Sequence, residues 1–105
     1  MSKKEQIDNL AAFIGLKAAH EILIKVTNKP ESTPHLKKEV DTYTDLSFDL
    51  ADGNWNSDDI EKIKKLAKNK CSKKLEKYSD IGNEKYNEVK DIISGIMMDL
   101  GLIWN

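Results

Sequence analysis

Two histidines, one cysteine and two blocks of like charge are the residues here whose types and spacing bear on chemistry. His20 opens the stretch "HEILI". It begins as the zinc-protease helix motif does but has no second histidine four residues on, so it offers no two-ligand face for zinc. The Glu-x-x-His pairs that build di-iron bundles are also absent. His20 falls on the buried side of a helical period, where a histidine is expected to hydrogen-bond a neighbour within the core. His35 falls in the first turn of a second helix, where water solvates it. Cys71 shares an apolar stripe with Ile60, Ile63, Ala67, Leu75 and Tyr78, which reads as a small core residue. A catalytic thiol needs a base and an accessible, electropositive site, and His20 is the one base the sequence leaves open to it. No pair of groups has the spacing catalysis requires. The expectation is a protein that is not an enzyme, with no catalytic residue, metal or cofactor.

The charge blocks carry more information. From residue 39 to 59 every charged residue is acidic: Glu39, Asp41, Asp45, Asp49, Asp52, Asp58 and Asp59. From residue 62 to 74 every one is lysine. Placed on a helix, Leu36, Val40, Tyr43 and Leu50 share one face, and Asp41, Asp45, Asp49 and Asp52 share the opposite one. Carboxylates four residues apart repel by a few tenths of a kcal/mol per pair, so a stripe of them is a candidate for docking a basic surface. Phe48 lies at the edge of that acidic face and Trp55 in the loop beyond it. Aromatics within a polar rim have the anatomy of a protein-binding hot spot. The competing structural reading pairs the acidic helix with the lysine helix as a hairpin. Within the lysine block and just past it, Lys62, Lys65, Lys73 and Lys77 lie outward and offer phosphate contact to a nucleic acid. No aromatic residues interleave them to stack on bases.

Four segments of helical period must position these residues. They cover about 3–27, 34–51 with Thr33 as N-cap and Pro34 in the first turn, a third from a cap at Asn56 or Ser57 to 78, and a fourth from 84 toward the end. Asp58 and Asp59 fall in the first turn of the third, where the helix dipole favours acids. "NKPESTP", "DGNWNS" and "SDIGN" break the pattern, and no alternating β-branched runs signal strands. Short connections make neighbouring helices antiparallel, so the predicted fold is an all-α, antiparallel up-down four-helix bundle in one domain spanning 1–105.

Two features exceed what a plain bundle needs. The first helix is apolar nearly all round. Leu16, Ala19, Leu23 and Val26 face away from a polar strip of Lys17, Glu21, Lys25 and Asn28, while Ile7, Leu10 and Ile14 form a second apolar patch. Either this helix is central, or a second copy of the chain covers its N-terminal half. Ala11, Ala12, Gly15, Ala18 and Ala19 permit close helix approach in both cases. On the fourth helix, Tyr86, Val89, Ile93, Ile96, Met97 and Leu100 form a stripe whose spacing continues to Ile103 and Trp104. Winding past Gly101 would lay the Trp104 indole over the bundle end, as a plug or as a self-association contact.

The 105 residues bury a modest core. With 39% hydrophobic and 33% charged residues the chain is too apolar and too balanced for disorder. A net charge of -1 gives no global field to recruit a polyanion. All 17 basic residues are lysine, which removes the arginine fork that reads guanine edges. One cysteine precludes an internal disulfide and fits a reducing cytoplasm. The apolar run from Leu10 to Leu16 ends at Lys17, too short for a signal-peptide core with no cleavage site after it, and nothing is long enough to span a bilayer. The expected function is a small interaction or regulatory bundle. It would bind a protein partner through Asp41, Asp45, Phe48, Asp49, Asp52 and Trp55, or itself through Ile7, Leu10, Ile14 and Trp104. The alternative is a nucleic-acid-associated protein using the lysine helix.

Overall fold

Apolar residues recurring every three or four positions wind the chain into four helices, and in this computed structural model the residues described are 2–26, 33–53, 55–77 and 83–103. The helices are α1 (Lys3–Val26), α2 (Thr33–Ala51), α3 (Ser57–Leu75) and α4 (Asn83–Asp99). Among the described residues there is no strand. The chain is an all-α helical bundle. Thr27, Asn28, Tyr78 and Trp104, and the side chains of Val26 and Tyr86, lie outside what is described.

Local chemistry sets the helix ends. Ser2 starts α1: the Glu5 N–H donates to its Oγ at 3.2 Å and the Gln6 N–H to its carbonyl at 3.0 Å. Asn56, not Ser57, caps α3. Its Oδ1 accepts the Asp59 N–H at 2.9 Å, and Asp59 Oδ2 accepts the Asn56 N–H at 3.3 Å, a reciprocal capping box. α3 stops at Leu75, three residues short of the predicted end. At the other end of the bundle, Gly101 adopts φ +76°. The Leu102 N–H then reaches the Met97 carbonyl at 2.9 Å and the Gly101 N–H the Met98 carbonyl at 3.0 Å. This Schellman turn stops the helix, so the predicted winding past Gly101 does not occur. Leu102 instead folds back as a buried residue beside the core, with Ile103 half-buried against it.

α1 is the central helix, packed against α2, α3 and α4, while α3 and α4 also pack on each other. This corrects the self-association reading of its second apolar face. Ile7, Leu10 and Ile14 are buried within the single chain, because the helix is flanked by three others. The α1–α3 seam is the tightest contact. A Cβ built on Gly15 would stand 2.7 Å from the Ala67 carbonyl oxygen and 2.8 Å from Lys70 Cβ. Ile63, Ala67, Cys71 and Leu75, at spacings of four, line the facing side of α3, and Val89, Ile93, Ile96 and Met97 complete the core from α4.

α2 differs from the others. Among the described residues it packs on α1 and on no other helix, which rules out the α2–α3 charge hairpin. It contributes no fully buried apolar side chain. Leu36, Leu50 and Ala51 are only partly buried, and among its described side chains the one fully buried is Ser47. Among the described residues the Ser47 hydroxyl has no hydrogen-bond partner. α2 is therefore held from one side, by partly buried apolar residues, an aromatic contact of Tyr43 with Phe13, and a polar clasp.

Candidate functional site

That clasp joins α2 to α1 through His20. The imidazole is 3% exposed. Its Nδ1 lies 2.7 Å from the Leu16 carbonyl, and its Nε2 pairs directly with the Glu39 carboxylate. The other Glu39 oxygen lies 2.9 Å from Nε2 of the exposed His35. The Tyr43 ring is tilted 58° against His20 at 5.5 Å and stacks with Phe13 at 6.2 Å. Both His20 nitrogens face acceptors, so a protonated ring satisfies both and a neutral ring only one. Both nitrogens are engaged by the Leu16 carbonyl and Glu39, and neither is directed to the cysteine by any contact among the described residues. Cys71 is fully buried, and burial pushes its thiol up to about 12; such a thiol is inert at neutral pH. No group of three or more His, Cys, Asp or Glu residues among those described could hold a metal ion. No helix among them is long and apolar enough to cross a membrane.

The outer side of α2 is the remaining feature of chemical interest. Asp41, Asp45, Asp49 and Asp52 are all exposed, opposite the residues that meet α1. Among the described residues none of the four takes part in an ion pair. The Thr42 and Thr44 hydroxyls donate back to the Lys38 and Val40 carbonyls at 3.1 and 2.8 Å, so they add no specific donor to the surface. Two large apolar side chains flank the acidic stripe, Phe48 at 50% and Leu46 at 38% exposure. The pattern predicted Phe48; Leu46 it did not single out, although its position between the core and acidic faces was readable from the helical angle.

The chain matches no protein-family model, no curated protein and no solved structure.

Trp55 does not belong to this surface. Its Nε1–H donates to the Leu50 carbonyl at 3.3 Å, its ring packs half-buried against the core, and the Lys3 ammonium stands 5.7 Å from the ring centroid. The same Lys3 makes a 2.7 Å ion pair with Asp59. That hydrogen bond, helped by the Asn56 backbone and Lys62 and opposed by partial burial, holds the Asp59 carboxyl below its ordinary value. Trp55, Lys3 and Asp59 thus tie the start of α1 to the α2–α3 turn. On α3, Lys62, Lys65, Lys73 and Lys77 are all exposed as predicted. The first three border a groove against α1 that also takes in Lys3, Lys4 and Lys70; Lys77 lies beyond it. The α1 lysines were not legible as part of this surface, because only tertiary packing sets them beside α3.

Proposed function

We propose that this chain is a small, non-enzymatic cytoplasmic interaction module that docks a basic protein partner on the outer face of α2. The surface consists of Asp41, Asp45, Asp49 and Asp52 flanked by Phe48 and Leu46. One observation carries the reading: α2 is anchored on a single side, and its other side sets exposed apolar residues beside a row of mutually repelling carboxylates. An arrangement that weakens the helix and exposes a phenylalanine has no structural benefit within the chain, whereas a lysine-bearing partner removes the repulsion and covers the ring.

The test is fluorescence anisotropy with a labelled helical peptide carrying lysines four residues apart and leucines on the adjoining flank. Binding is expected to saturate at low salt and weaken as salt rises. Reversing Asp45 and Asp49 to lysine should weaken it on the order of tenfold or more, since two attractive pairs become repulsive, and Phe48→Ser should weaken it without altering the helical content. Unchanged affinity in a folded charge-reversed variant would rule this surface out.

A further inference from the structure

Between α1 and α3 run two adjoining depressions of about 680 and 310 Å³. Both are bordered by Asp8 and Leu66, so they form one continuous groove. Lys4, Lys62, Lys65, Lys70 and Lys73 rim it, and Leu66, 38% exposed, stands midway along it. Lys3 already binds Asp59 and covers Trp55, so the cationic character rests on the other five. They outweigh Asp8, and the groove as a whole is positive.

The occupant such a groove fits is an acidic helix with an apolar flank. A nucleic acid fits it less well. Duplex DNA brings a phosphate charge about every 1.7 Å, and the exposed Leu66 offers it nothing. An amphipathic acidic helix supplies carboxylates for the lysines and an apolar side chain for Leu66. This chain itself carries one. From Asp41 to Asp52 the acidic stripe of α2 is about 17 Å long, and from Asp59 to Lys73 the groove is about 21 Å long, at ~1.5 Å per residue. Within one molecule α2 packs on α1 and does not touch α3, so it cannot fill its own groove. We infer that the lysine-rimmed groove between α1 and α3 receives the Phe48-bearing acidic face of α2 from a second copy of the chain. This rests on the reading of α2 as a docking face and names its basic partner.

The contact is heterologous, with a different surface on each side, so it forms rings or open chains rather than obligatory pairs. A single helix face falls short of the roughly 800 Å² per partner typical of stable complexes. Association is therefore weak and strongly salt-dependent.

The experiment is sedimentation velocity on the full chain at concentrations up to about 1 mM, at low salt and again in ~0.5 M salt, where screening confines exposed charge interactions to a few ångströms. The wild type should exceed the monomer mass at low salt and return to it at high salt. The variants Asp45→Lys/Asp49→Lys and Lys65→Glu/Lys73→Glu, each checked for helical content, should both stay monomeric alone. Mixed, they should associate again, because each then meets a complementary surface on the other. A wild type that stays monomeric throughout overturns this inference, and if the lysine peptide still binds α2, the proposed function stands without it. Association that survives either pair of reversals also overturns it, since another surface is then responsible. So does a monomeric wild type that binds duplex DNA at low salt and loses that binding in Lys65→Glu/Lys73→Glu.

Discussion

The same substitution at two glycines should have opposite effects on stability. At Gly15 a new Cβ meets the Ala67 carbonyl oxygen at 2.7 Å, Lys70 Cβ at 2.8 Å and the Cys71 nitrogen at 3.2 Å. Optimal non-bonded carbon contacts are about 3.5–4.0 Å, and two of these three atoms are α3 backbone, which no rotamer change moves aside. α1 and α3 must separate, and a gap of ~0.5–1 Å forfeits roughly a quarter to a half of each dispersion contact along the seam. Overpacking of this kind costs about 1–3 kcal/mol. At Gly95, in the interior of α4, a Cβ meets nothing within 4 Å. Both substitutions gain the helix propensity of alanine, about 0.8–1.0 kcal/mol. That gain is common to the two, so the difference between Gly15→Ala and Gly95→Ala isolates the overpacking penalty at about 1–3 kcal/mol. For a chain of this length each kcal/mol moves Tm by about 4–5 °C. Gly95→Ala should melt about 4 °C above wild type, and Gly15→Ala well below Gly95→Ala. Urea titrations with a shared slope give the free energies directly. Gly15→Ala matching Gly95→Ala would refute the close α1–α3 seam.

Ser47→Ala should stabilise the protein by about 1 kcal/mol, because a buried hydroxyl without a partner costs roughly 1–3 kcal/mol; a rise in the urea midpoint checks this, and a fall would show that the hydroxyl is used. Asp59 gives an acid limb to stability. Its folded-state carboxyl is held down by Lys3, so the unfolded chain takes up protons first and stability falls as pH drops below the ordinary aspartate value of about 3.9. Urea midpoints between pH 2 and 5 should fall less steeply in Asp59→Asn than in wild type. Cys71 should react with a thiol reagent at pH 8 roughly a thousandfold or more slower than in the urea-unfolded chain, as access requires unfolding a domain stable by about 5 kcal/mol or more. Rapid labelling of the native protein would place the thiol outside the core.

The helices and the phase of α2 were readable because periodicity reports directly on which side chains share a face. The Asn56 cap and Asp59 were legible for a similar reason: capping chemistry acts over three residues. What covers a face was not. The wide apolar surface of α1 fits a central helix and a dimer equally well, and only the packing of α2, α3 and α4 around it decides. Trp55 lies in a loop with no helical phase, so its inward turn onto Leu50 could not be inferred. Winding past Gly101 was a plausible continuation of the stripe, but a glycine free to take positive φ ends the helix instead. Glu39 sits between the core and acidic faces of α2, and its role as the partner of His20 becomes visible only when α1 lies alongside.

The most direct measurement is a residue-resolved map of backbone amide shifts as the lysine-bearing peptide is titrated into the full chain. Shifts should gather on the outer positions of α2, around Asp41, Asp45, Leu46, Phe48 and Asp49, and leave buried α1 residues such as Ile14 and Ile22 unmoved. A titration that perturbs other surfaces while α2 stays silent would contradict the assignment of a binding face to this helix.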